Sequence, residues 1–122
     1  MKREPPPNDL PILIVGAGPV GLTLANLLGR DGIPCVLIDK HYEPPQQTRA
    51  IGVTPPTLTL FKHIGIAEKC LEEGVRITVA RVHDDDGAAG EIRFDRLPGE
   101  FPFILSLPHP DTLRILRAAL PR

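Results

Sequence analysis

Three glycines, Gly16, Gly18 and Gly21, stand between a short apolar run and an amphipathic stretch, and they constrain this chain more than any other feature. The run Pro11-Ile12-Leu13-Ile14-Val15 is continuous and apolar, the pattern of a strand covered on both faces in a parallel sheet. Residues 19–29 follow with Val20, Leu24, Leu27 and Leu28 at helical spacing, opened by Pro19 and closed near Gly29. A second apolar run, Cys35 to Ile38, ends in Asp39. Strand, helix and strand within about 30 residues make a βαβ unit, whose crossover is almost always right-handed.

In such a unit each glycine has a mechanical task. Gly16 permits the tight turn off the strand, Gly18 lets a pyrophosphate approach the backbone, and Gly21 lets the helix lie close to the sheet. Ala17, Pro19 and Val20 complete the turn, and the helix amino-terminus offers unpaired N–H groups and a positive dipole end to phosphates. Asp39 lies 18 residues after Gly21, where a carboxylate can accept hydrogen bonds from a ribose diol and repel a 2′-phosphate. The plain alternative is a glycine-rich turn that holds nothing. Strand, helix and acid together favour an adenosine diphosphate moiety, without choosing FAD over NAD.

The rest of the chain reads as short elements separated by turns, as its 15 prolines require. Residues 1–10 are polar and proline-rich, a disordered lead-in, and residues 11–122 are about one domain. Glu43 to Val53 reads as an extended surface loop. Thr54 then caps a helix with Pro55 and Pro56 in its first turn and Leu58, Phe61 and Ile64 on its apolar face. A shorter helix spans about Ala67 to Glu73. Ile77 to Val82, answered by Ile92 to Phe94 across Asp84-Asp85-Asp86-Gly87, predicts a hairpin with a longer loop. Phe103 to Leu105 leads to a helix over about Asp111 to Leu120, with Leu113, Leu116 and Leu120 in line. The fold class is α/β, a Rossmann-like βαβ start with an added β-hairpin.

Several chemistries are disfavoured. Lys+Arg 14 against Asp+Glu 15 leaves a net charge of −1, which gives no electrostatic reason to bind nucleic acid or an anionic membrane. No apolar run approaches the roughly 20 residues that span a bilayer. The opening Met1 to Pro7 has no apolar signal core. Cys35 and Cys70 are too few for a disulfide framework or zinc site and read as reduced thiols of a cytoplasmic protein. His41, His63, His83 and His109 are scattered, which argues against a metal site. A calcium loop with Gly87 at its sixth position would need a carboxylate where Val82 stands. Ser106, the only serine, lacks a nucleophile elbow.

Pro11 to Asp39, then Thr48-Arg49-Ala50-Ile51-Gly52-Val53-Thr54-Pro55-Pro56-Thr57-Leu58-Thr59-Leu60-Phe61, and later Phe101-Pro102-Phe103-Ile104-Leu105-Ser106-Leu107-Pro108 before a helix, carry a resemblance. The chain resembles the FAD-dependent aromatic hydroxylases, the para-hydroxybenzoate hydroxylase-like single-component monooxygenases, over nearly all of residues 11–120. The resemblance implies that Gly16 to Gly21 holds the FAD pyrophosphate, and that Asp39, with Lys40 beside it, meets the adenosine ribose. It implies that Arg49 reaches the phosphate and ribose region, a task suited to a guanidinium that stays charged and makes paired bonds to oxygens. These enzymes often carry a glutamine that contacts the flavin after the Leu-Pro pair, and here that position is His109.

The family's reaction, as the resemblance implies it, uses NAD(P)H to reduce FAD, and the reduced flavin reacts with dioxygen to hydroxylate a small aromatic substrate. Members run to several hundred residues. Two later motifs of theirs, an Asp-Gly segment near the pyrophosphate and a Gly-Asp segment beside the ribityl chain, are not in this sequence. Residues 11–122 are therefore expected to be an incomplete FAD-binding domain, a fragment holding no catalytic residue and not by itself a competent hydroxylase. Two other readings stay open. One is a dinucleotide-binding module of another flavin- or NAD-dependent oxidoreductase, and the other a truncated, non-enzymatic nucleotide-binding or interaction fragment.

Overall fold

A computed structural model of the chain describes residues 11–41, 43, 46 and 52–121. The expected lead-in, residues 1–10, lies outside that set, as do Arg49 and most of the expected 43–53 loop.

The glycine turn sits in a parallel βαβ unit of the Rossmann-like kind. Strand β1 (Ile12–Val15) is followed by helix α1 (Pro19–Arg30) and strand β2 (Cys35–Ile38). The strands pair in parallel, with Ile12 opposite Cys35 and Val15 opposite Ile38. Pro19 opens α1 at its first position, where a missing N–H costs nothing.

Beyond β2 the chain builds a second, antiparallel sheet. Strand β3 (Gly52–Val53) leads into helices α2 (Pro55–His63) and α3 (Ala67–Glu73), then strand β4 (Val75–Ile77). Strands β5 (Val79–Asp84) and β6 (Gly87–Arg93) form a hairpin, and β7 (Ile104–Ser106) precedes helix α4 (His109–Ala118). The second sheet runs β3-β7-β4, with β7 central and antiparallel to both neighbours.

One cluster of buried side chains joins these parts. Leu22 of α1, Leu58 and Phe61 of α2, Cys70 of α3, Leu105 of β7 and Leu113, Ile115 and Leu116 of α4 all pack in it. Helix α4 lies against α1. Asn26 locks that pairing: its Nδ2 donates to the Leu22 carbonyl and to the Leu116 carbonyl, each at 2.9 Å. A buried amide is tolerated because both bonds are made.

The structure departs from the sequence expectation in five places. The hairpin loop is short, only Asp85 and Asp86, because the Asp84 carboxylate accepts the Asp86 N–H at 3.0 Å and folds the corner. Ile77 belongs to β4 and not to the hairpin. The chain changes sheets at Thr78, whose carbonyl accepts the N–H groups of Phe94 and Asp95. Gly52 and Val53, expected in a loop, pair with Ser106 and Leu105. Thr54 occupies the N-cap position of α2 but makes no side-chain cap bond. Pro55 and Pro56 remove two of the donors a cap would satisfy, and Thr54 Oγ1 lies 3.3 Å from Thr57 Oγ1 instead. Helix α4 also begins two residues before the expected Asp111, and Leu120 packs beside the core just past its end.

Candidate functional site

The turn between β1 and α1 is held at both ends by main-chain bonds. The Gly16 N–H donates to the Ile38 carbonyl at 2.7 Å, extending the β1–β2 ladder by one step. The Gly18 carbonyl accepts the Leu22 N–H at 2.9 Å, the first bond of α1. Gly16 has φ +108°, a conformation that L side chains rarely adopt, so glycine is required there.

The other two glycines face opposite surroundings. A Cβ added at Gly21 would sit 1.9 Å from the Gly16 carbonyl oxygen and 3.4 Å from Ile14 Cγ2, so the first turn of α1 rests directly on the strand exit. Among the described residues, a Cβ added at Gly18 would meet nothing within 4 Å. Gly18 therefore opens onto free space and Gly21 onto backbone. Gly21 is needed for packing, whereas Gly18 leaves room for something to come close.

That open side is the amino-terminus of α1. Helical geometry leaves the Val20 and Gly21 N–H groups without intrahelical partners, and Pro19 has none to offer. Gly18 at the N-cap supplies no side-chain oxygen, and the first turn carries no acidic residue. The site has bare donors, the positive end of a helix dipole and clearance at Gly18, which together fit an anionic diphosphate.

Asp39, at the end of β2, is brought to this turn. Its Oδ2 accepts the Ala17 N–H and its Oδ1 the His41 N–H, each at 2.7 Å. These two bonds, His41's first, hold its carboxyl below the usual carboxylate range, with smaller help from the charges of His41 and Arg117. The group is exposed, and each oxygen keeps a further lone pair for a ligand hydroxyl. The bond to His41 is the kind an aspartate makes two residues ahead and is legible in sequence. The bond to Ala17 spans 22 residues and is not.

Of the other expected residues, Lys40 is exposed next to Asp39, and half-buried His109 takes the first position of α4. Among the described residues no hydrogen bond joins His109 to the glycine turn. Arg49 lies outside the described residues. Among the described residues, no group of three or more His, Cys, Asp and Glu side chains is placed to hold a metal ion. No described helix is long and apolar enough to cross a membrane.

Comparison with known proteins agrees with this geometry. The family described as "FAD binding domain" matches residues 9–122. The chain is 36% identical over 110 residues to a pentachlorophenol 4-monooxygenase of Sphingobium chlorophenolicum, covering 89% of this chain and 20% of that protein. It is 40% identical over 121 residues to a 6-methylpretetramide 4-monooxygenase of Streptomyces rimosus, covering 95% and 21% respectively. Its fold is similar to that of a flavin-dependent monooxygenase solved in complex with FAD and substrate. The TM-score there is 0.76 at 25% identity, over 92% of this chain and 22% of that one. The chain thus spans about a fifth of the length of the curated relatives it matches. On the family match and on the turn that fits it, the chain belongs to the FAD-binding-domain family of the flavin-dependent aromatic monooxygenases.

Proposed function

We propose that this segment holds the ADP half of FAD for an NAD(P)H-consuming monooxygenase that hydroxylates a small aromatic compound. The observation that carries the reading is the contrast at the turn: Gly21 closed against the Gly16 carbonyl, Gly18 open in front of a bare helix amino-terminus. In this reading the Val20 and Gly21 N–H groups donate to phosphate oxygens, and Gly18 allows the backbone to come within bonding distance. Asp39 uses its remaining lone pairs on the ribose hydroxyls. Lys40 and Arg49 contribute positive charge near the phosphates, and His109 stands toward the flavin. Bound FAD would supply the electron transfer from the reduced nicotinamide and the activation of dioxygen.

Two relatives named as 4-monooxygenases, and a structural neighbour solved with FAD and substrate, support a flavin and an aromatic ring. The groups that select the ring would come from parts of such proteins that this segment does not span. Two free thiols, Cys35 half-buried and Cys70 buried, suit a reducing cytoplasm.

The test is a titration of the purified chain with FAD, followed by flavin fluorescence, with ADP and NAD as competitors. Saturable FAD binding is expected, displaced by ADP, and lost in Gly18→Val while its circular dichroism stays that of the parent. A folded parent chain that never saturates, or one that binds NAD as tightly as FAD, overturns the reading.

A further inference from the structure

We propose that Asp39 is a positioning residue for the glycine turn, holding the Gly16–Ala17 peptide in its binding-ready orientation before any nucleotide arrives. The inference rests on the reading that this turn holds a nucleotide diphosphate. It adds a role distinct from accepting ribose hydroxyls.

The peptide between Gly16 and Ala17 is anchored by a side chain and not by the main chain. Gly16 N–H before it is fixed by Ile38, and Gly18 carbonyl after it by Leu22. The Ala17 N–H reaches Asp39 Oδ2 at 2.7 Å and nothing in the β1–β2 ladder. A trans peptide is planar and its N–H and C=O point in opposite directions, so fixing one end aims the other. The other end is the Gly16 carbonyl, whose oxygen lies 1.9 Å from where a Cβ on Gly21 would be. Asp39 thus keeps that carbonyl turned onto the start of α1. A flipped peptide would exchange the ends, turning the Gly16 carbonyl toward the Asp39 carboxylate and the Ala17 N–H toward the start of α1, and so reshape the turn beside Gly18.

Asp39 is built to hold this contact. The His41 N–H bond on Oδ1 fixes the carboxylate plane from the far side, also at 2.7 Å, so Oδ2 is presented to Ala17 without a search of rotamers. Both bonds have an ionised acceptor and are of the stronger kind. One side chain therefore couples the exit of β2 to the exit of β1. Asparagine is isosteric, but it offers one oxygen where two N–H groups need acceptors.

The experiment compares ADP with 2′,3′-dideoxy-ADP on the parent chain and on Asp39→Asn, alongside the exchange rate of the Ala17 amide measured by NMR without ligand. Asp39 is exposed and outside the core cluster, so the variant is expected to keep its fold, which circular dichroism checks. Positioning predicts that Asp39→Asn weakens 2′,3′-dideoxy-ADP, which has no ribose hydroxyls to lose, by roughly tenfold for one charge-assisted bond, and ADP by at least as much. It also predicts an Ala17 amide protected in the parent and fast in the variant, with the Leu22 amide unchanged. A loss confined to ADP would assign Asp39 to the ribose alone and overturn the proposal. Fast Ala17 exchange in the parent would overturn it too, while leaving the nucleotide reading intact. A protected Ala17 amide in a parent that binds neither nucleotide would remove the nucleotide reading, and the proposed role with it.

Discussion

At the scale of single residues, the two glycines that frame the start of α1 should separate folding from binding. Gly21→Ala forces a methyl against the Gly16 carbonyl, a backbone atom that cannot rotate away, so the helix start must shift off the strand. The expected loss is about 1–3 kcal/mol of unfolding free energy, the range of overpacked positions. Gly18→Ala puts its methyl into open space at the N-cap, where replacing glycine costs under about 1 kcal/mol. Its affinity for FAD should fall nonetheless, since the space is what the diphosphate would use. Thermal unfolding beside FAD titration of both variants checks the pair. Equal stability losses at the two positions would show that the turn is packed on both sides. The spacing of these glycines is visible in the sequence because each task follows from a missing Cβ. The Ala17–Asp39 bond is not visible, since nothing local announces a side chain arriving from 22 residues away.

At the scale of elements, α1 and α4 are joined by one buried amide. Near the end of α4 the Leu120 N–H turns to the Arg117 carbonyl, leaving the Leu116 carbonyl to Asn26. Asn26→Ala should strand that buried acceptor and cost about 1–3 kcal/mol. Urea unfolding should show a lower midpoint with an unchanged slope. No change in midpoint would mean that water reaches the carbonyl and the clamp is dispensable. Helices α1 to α4 were legible because proline and glycine mark their ends and leucine spacing marks their buried faces, as with Leu113 and Leu116. The partners of the short strands were not. Ile77 to Val82 reads as one strand, and the chain divides it at Thr78, whose carbonyl is drawn to Phe94 and Asp95, between β4 and β5 in two sheets. Gly52–Val53 has no strand pattern of its own and pairs because β7 passes beside it. Sequence periodicity reports which way a side chain faces, and it is silent on which distant strand supplies the hydrogen bonds.

At the scale of the whole molecule, the continuous apolar runs of β1 and β2 predict strands covered on both faces, and the described chain covers one. Ile14 is only 7% exposed over the core side, whereas Leu13 is 60%, Val15 76%, Val36 45% and Ile38 46% exposed on the other. Parallel register sets these four side by side, Leu13 against Val36 and Val15 against Ile38, so they form one patch and not scattered residues. Contiguous apolar patches on soluble proteins mark surfaces that associate. The two strands form where the pattern expects them, whereas the cover on both faces is not found among the described residues. Two β-branched hydroxyl substitutions, Val15→Thr and Ile38→Thr, keep strand propensity while making the patch polar. The 122-residue chain is expected to self-associate in sedimentation velocity at high micromolar concentration, and the double variant to remain monomeric with the same Tm. A monomeric parent whose Tm drops on substitution would show the opposite. The patch would then already be packed within the chain in solution, and β1 and β2 would draw stability from both of their faces.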